Sequence, residues 1–353
     1  MTERPWPVGA ATGVGSMPGT DIREATRVVL GELPDLPHLP ELPGRGVGAD
    51  LTGRTIGLLV DLHAEVQPSG WRVADAAGRD ERRAIALLGE DLDVLEELAE
   101  GWTGPLKLQV AGPWTLASTV ELRYGDKALA DAGACRDLAD SLAEGLAEHV
   151  RAVARRLPGA QLLVQLDAPA ITGVLRGSVP TASGFSRIGA LEPERVVAGL
   201  RTVFQALPEH VVRVVHSCAP DVPLELLTRA GAEAVSFDLH LLGRRHEDDL
   251  GIAVEAGTRL LLGVVDPRSP ALEPTRGGEP GKPSDLDATV APVRTLWHRL
   301  GLAPEGLLDV ALTPTCGLAG ASPGAARAAL AVVREAGRRL AEDPEGDVGG
   351  GQR

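Results

Sequence analysis

His216 and Cys218 stand two residues apart at the end of an apolar run, residues 211–216. Alternate residues of an extended chain point to the same side, so an imidazole and a thiol at this spacing can approach one ion. Both are good zinc donors, at about 2.0 Å and 2.3 Å. Taken alone, the pair is more often a buried structural cysteine beside an unrelated histidine. Cys316 adds weight, because it follows a second apolar run, 307–312, in Thr313-Pro314-Thr315-Cys316-Gly317-Leu318. A catalytic zinc keeps three protein ligands and an open position for substrate, and a carboxylate can complete the shell. Asp238, which ends the run 234–238, is the candidate, with His240 or solvent as alternatives. The plainer reading of Asp238 is a helix cap. Cys135, in Ala132-Gly133-Ala134-Cys135, lies in a helical stretch and reads as a small packing residue.

Two further acids end strand-like runs. Asp167, in Leu163-Val164-Gln165-Leu166-Asp167-Ala168-Pro169, needs a partner such as a substrate amine or an arginine if it is buried. Asp266, in Val265-Asp266-Pro267-Arg268, is a second catalytic candidate, although Asp-Pro is also an ordinary turn. Gly13-Val14-Gly15-Ser16 lacks the third glycine and the downstream acid of a dinucleotide fingerprint, which excludes that reading.

These residues need a scaffold that brings many strand ends to one point. Apolar runs alternate with amphipathic segments, as in βα units around a parallel sheet. Eight strands are expected, at 10–15, 55–61, 106–111, 161–167, 211–216, 234–238, 259–264 and 307–312. Helical periodicity covers 80–102, 130–156, 192–206, 223–230, 286–300 and 322–340. Ser284 and Asp285 precede one helix, and Ser322-Pro323 starts another. Segments 33–48 and 269–282, rich in Pro and Gly, read as long βα loops. The expected fold is α/β, a single (β/α)8 TIM barrel over residues 1–341, with a disordered tail at 342–353. In such a barrel the functional groups collect at the C-terminal ends of the strands.

Composition bounds the partners. Asp and Glu number 49 against 35 Lys and Arg, a net charge of −14 with no basic block, so a nucleic-acid partner is not expected. Three scattered cysteines make no disulfide framework, and neither a signal peptide nor a membrane-length apolar run is present. A cytoplasmic protein without membrane partners is the expectation.

In chain order, several short motifs resemble those of the catalytic C-terminal barrel of cobalamin-independent methionine synthases, within the wider superfamily that includes uroporphyrinogen decarboxylase. They are Gly15-Ser16-Met17-Pro18, Gly112-Pro113-Trp114-Thr115, Gln165-Leu166-Asp167-Ala168-Pro169-Ala170, His216-x-Cys218, Asp238 and Pro314-x-Cys316-Gly317-Leu318. The resemblance implies that His216, Cys218 and Cys316 ligate zinc, with Asp238 where the family has a glutamate. It implies that Ser16 and Asp167, with Glu41, hold the amino-acid part of homocysteine, and it places Trp114 beside the substrate. A thiol that coordinates zinc loses its proton near neutral pH, and the thiolate then takes a methyl group to give methionine. The methyl donor would be a methylfolate or a methylated corrinoid such as methylcobalamin, free or on a corrinoid protein.

The chain also departs from the family. The N-terminal barrel of the full-length enzymes has no counterpart, Ala168 replaces a glutamate, Arg268 stands where a catalytic histidine is expected, and Thr119 aligns with a folate-stacking tryptophan. Three other functions therefore stay open: alkylation of another thiol such as coenzyme M, a metal-free decarboxylase, and an inactive binding barrel. The decarboxylase needs arginines in the N-terminal loop for substrate carboxylates, where the sequence offers Arg23 and Arg45.

Overall fold

The computed structural model describes residues 4–273 and 285–346. A hairpin, β1 (His63–Gln67) and β2 (Gly70–Ala74), pairs antiparallel. Six parallel strands follow in a sheet ordered as in sequence: β3 (Gly104–Ala111), β4 (Ala160–Asp167), β5 (Val212–Ser217), β6 (Ala234–Asp238), β7 (Arg259–Val265) and β8 (Ala311–Pro314). Helices return the chain between them, since parallel neighbours need a crossover. Their apolar stripes pack on the outside of the sheet; the helix Ala132–Arg156 buries Leu138, Leu142, Leu146, Val150 and Val153 at helical spacing.

Both edges of this curled sheet are bonded to extended segments. On the β8 side, Thr12 N–H donates to the Leu312 carbonyl at 3.0 Å and Leu312 N–H to that of Ala10 at 3.1 Å. On the β3 side, Leu39 N–H donates to Lys107 at 3.0 Å and Lys107 N–H to Pro37 at 2.9 Å. Segments 10–17 and 37–41 are joined in turn through Met17 N–H to Glu41 and Glu41 N–H to Gly15. These contacts are isolated bridges, not strands, so six of the eight expected strands form. Pro37 and Pro40 have no N–H to give, which prevents a continuous ladder along 37–41.

The strand expected at 55–61 does not form. Asp50 accepts from Gly53 N–H at 2.7 Å and caps a helix, Leu51–Ile56, followed by a turn. Residues 37–41, assigned to a loop from sequence, occupy the place beside β3 instead. The last strand begins at Ala311, not 307, because Pro304 opens a short 3₁₀ helix through Asp309. The hairpin and the helices Ile22–Glu32 and Glu247–Glu255 were not anticipated. The helix Leu286–Leu300 matches its expected span, and Asp285 caps it; Ser284 and most of the 269–282 loop lie outside the described residues. The helix Pro323–Glu342, capped by Ser322, reaches the expected tail, of which only the residues up to 346 are described.

Candidate functional site at the strand ends

Inward-facing residues change character up the strands with a period of two. Leu163, Val214, Ala234, Leu261 and Ala311 form a buried apolar plug with Ala10, Leu36 and Trp6. Two residues further on stand Gln165, His216, Ser236, Gly263 and Thr313, and two beyond those Asp167, Cys218, Asp238, Val265 and Thr315. The alternation that packs the bottom thus delivers polar groups to the top.

His216 is buried at the end of β5, with its Nδ1 2.9 Å from the Ser236 hydroxyl. Its Nε2 is buried without a hydrogen-bond partner. Burial, with the positive charge of Lys107, holds its pKa down at about 3, so the ring is neutral near pH 7. With Nδ1–H donating to Ser236, Nε2 carries the free lone pair.

Cys218 and Cys316 meet across the mouth. Cys218 and Cys316 shift each other: the neighbouring Cys218 thiol brings Cys316 down to about 6, while Cys316 and burial push Cys218 up. Both line a cleft of about 370 Å³ with Asp238, Leu241, Asp266 and Arg268. Ser16 belongs to the same rim: Leu318 N–H donates to its carbonyl at 2.8 Å. A Cβ on Gly317 would fall on the Ser16 hydroxyl, so glycine here leaves that hydroxyl its present position at the rim.

Asp238 accepts from His240 N–H at 2.9 Å and lies 3.1 Å from the His240 ring, so it does cap the following turn while facing the cleft. Asp266 accepts from Arg268 N–H at 3.0 Å and from its Nε at 3.2 Å, the turn geometry of Asp-Pro. Trp114 is not brought to the cleft. Its Nε1 donates to the Val196 carbonyl at 2.9 Å and its ring lies against Gly199, packing the helix Pro113–Thr119 against Pro193–Gln205.

Asp167 and Glu41 are both buried, and burial raises both pKa values; each also feels the other's charge or that of nearby acids. The cation between them is Lys107, a residue that sequence reasoning passed over. It is fully buried, and burial lowers it to about 8 against the pull of Asp167 and Glu41. Arg54 reaches within 3.9 Å of Glu41 and is itself held by the buried Asp91, which Arg45 also contacts at 2.5 Å. The signal available was an interruption: Lys107 and Gln109 break an otherwise apolar β3, as Gln165 breaks β4. Of the arginines the decarboxylase reading requires, Arg45 is engaged by the buried Asp91, while Arg23 makes an exposed ion pair with Glu97.

The donor set fits zinc in kind: two thiols lining one cleft, and a neutral imidazole with a buried, unpartnered nitrogen. Among the described residues, however, no three His, Cys, Asp or Glu side chains are gathered closely enough to hold a metal ion.

No protein-family model and no curated protein matches the sequence. Solved structures do. A B12-independent methionine synthase from Shewanella sp. W3-18-1, in complex with selenomethionine, superposes with a TM-score of 0.62 at 12% identity, over 95% of this chain and 98% of that one. A methyltransferase from Methanosarcina mazei gives 0.56 at 16% identity, over 95% and 94%. The chain therefore shares the fold of a cobalamin-independent methionine synthase along nearly its whole length, and the resemblance read from its motifs holds at the level of that fold.

Proposed function

We propose that the chain is a zinc-dependent S-methyltransferase that methylates the thiol of homocysteine to give methionine, on a single (β/α)8 barrel spanning residues 1–341. The observation that carries this reading is the cleft lined by both Cys218 and Cys316, together with the buried, unpartnered Nε2 of His216 on the strand that leads to Cys218. These three would hold zinc, with Asp238 or His240 as a fourth donor. Zinc bound there supplies positive charge that lowers the proton affinity of a substrate thiol.

The chain's own residues supply the rest. Ser236 fixes the His216 ring so that Nε2 is the donor nitrogen. Ser16, at the rim beside Gly317, offers a hydroxyl to the substrate carboxylate. Asp167, whose Oδ1 is taken by Gln165, would receive the substrate's ammonium group, with Glu41 held nearby by Arg54 and Lys107. That favours an amino-acid thiol over coenzyme M, whose sulfonate would add a further anion. The methyl group would arrive from a methylfolate or a methylated corrinoid through the open cleft that Asp266 and Arg268 line.

Metal analysis tests the site. Protein purified without chelator should carry near-stoichiometric zinc, and Cys218→Ser and Cys316→Ser should each lose it. A metal-free wild type that also fails to take up added zinc would sink the zinc reading. Incubation with homocysteine and either methyltetrahydrofolate or methylcobalamin should then yield methionine with one donor; turnover with neither overturns the acceptor assignment.

A further inference from the structure

Lys107 poses a question that the proposed chemistry leaves unanswered. A lysine with no exposed surface in the middle of a β-strand is among the rarest placements for that side chain, because its charge must be met inside the protein. Its Cα lies level with Leu163 in the apolar plug, yet its stem carries the ammonium up to the next layer. There Nζ donates to the Val14 carbonyl and to Gln165 Oε1, both at 2.8 Å. The Gln165 amide in turn donates through Nε2 to the Val14 carbonyl at 2.9 Å and to Asp167 Oδ1 at 2.8 Å.

The order of donors and acceptors in this chain is fixed by charge. An ammonium has only donors and a carboxylate only acceptors, so Gln165 can bridge them in one orientation alone. Flipped, its NH2 would face the ammonium and its oxygen the carboxylate. Lys107 and the Val14 carbonyl together set which end of Gln165 meets Asp167, the ammonium taking Oε1 and the carbonyl taking Nε2. Asp167 Oδ1 is engaged from below, and its backbone carbonyl is occupied by Thr115 Oγ1 at 2.6 Å and Gly112 N–H at 2.9 Å. With both the backbone and one carboxylate oxygen held, Oδ2 is the atom left to meet a ligand.

We propose that Lys107 is a positioning residue: through Gln165 it sets the Asp167 carboxylate with one oxygen held below and the other presented to a cationic group of the substrate. The proposal rests on the amino-acid-thiol reading for its ligand, but the orientation it assigns to Asp167 does not depend on any ligand. Lys107 never touches the substrate. It acts two hydrogen bonds away.

The test compares Lys107→Met, Gln165→Met and the double variant with the wild type, all as the full chain. Gln165→Met keeps the lysine, and the double variant leaves no unpaired buried cation, so at least one should fold even if Lys107→Met does not. Binding of L-homocysteine and of 4-mercaptobutyrate, which lacks the ammonium, is measured by calorimetry on the zinc-loaded proteins. Each single variant should weaken L-homocysteine on the order of tenfold or more and leave 4-mercaptobutyrate unchanged, as expected for loss of a charge-assisted contact. The double variant should be no worse than either single one, because all three break one chain. Equal losses for both ligands, or losses that multiply in the double variant, overturn the proposal. Crystal structures of the wild type and Gln165→Met separate this from the fate of the functional reading. A wild type that ignores L-homocysteine removes the amino-acid thiol, whereas an Asp167 carboxylate that keeps its orientation in Gln165→Met removes the role of Lys107.

Discussion

At the scale of single residues, the two mouth cysteines are pushed in opposite directions. Cys316 sits at about 6, brought down by its neighbour, and Cys218 is pushed up by Cys316 and by burial. Thiolate is the reactive form, so in metal-stripped protein Cys316 should react with iodoacetamide well below the pH needed by an ordinary cysteine, its rate rising through about pH 6 and levelling above it. Labelling followed by mass spectrometry checks this; preferential modification of Cys218 would contradict that order, and zinc should protect both. Gly317 makes a second residue-scale case. Replacing it with Ala puts a methyl group where the Ser16 hydroxyl stands, so that hydroxyl must rotate away. The expected outcome is weaker homocysteine binding with little change in stability, read by calorimetry and thermal unfolding. Gly320, three residues on and with open space around its Cβ direction, is the control position for the same change.

At the scale of elements, the loops that frame the cleft are tied to one another, and Asp221 is the knot. It follows β5 and takes hydrogen bonds from Arg176 on the helix Ile171–Arg176, at 2.7 Å, and from Arg245 and His246 after β6. Those bonds, led by Arg176, bring its pKa down to about 2 from the ordinary 3.8. A depressed acid stabilises the fold above its unfolded pKa and loses that contribution as pH falls through the folded value. Asp221→Asn should therefore unfold at a lower temperature than wild type at pH 7, and the gap should close between pH 4 and 2. Asparagine tolerates the left-handed backbone at this position, φ 59°, so the effect reads the charge and not strain. A gap that persists at pH 2 would assign it to packing. Elements of this kind also mark how far the sequence could be read. Six parallel strands and the long helices were legible because burial imposes a regular period on them, and the helix Leu286–Leu300 was legible to the residue. Segment 37–41 was not, since its prolines and single-residue bridges leave no strand pattern although its backbone closes the sheet edge. His216, Cys218 and Cys316 were legible as chemically unusual residues at strand ends. Lys107, Gln109 and Gln165 were not, because a polar residue inside an apolar run gives no hint of which neighbour satisfies it.

At the scale of the whole molecule, stability and chemistry are separated along the axis of the sheet. No described helix is long and apolar enough to cross a membrane, and the apolar content is spent on the helix layer and the plug at the N-terminal ends of the strands. Trp6 closes that plug. It is buried, packs with Leu163, Val214 and Leu261 from three strands, and donates through Nε1 to the Asp309 carbonyl at 3.2 Å. The segment carrying it continues directly into residues 10–17, which bond to β8 and then to 37–41, so the plug and the closure of the sheet edge depend on the same stretch of chain. Trp6→Ala should cost about 3–5 kcal/mol, the range for emptying a large aromatic site that cannot collapse. Zinc content and homocysteine affinity measured well below the unfolding transition should stay at wild-type values, since Trp6 belongs to the lowest inward layer and His216, Cys218 and Cys316 to the layers above it or to the mouth. Chemical denaturation gives the first quantity, and metal analysis with calorimetry the second. If Trp6→Ala instead loses zinc while remaining folded, the plug is not a separate foundation, and the polar layer of Lys107, Gln165 and His216 must transmit its packing to the mouth.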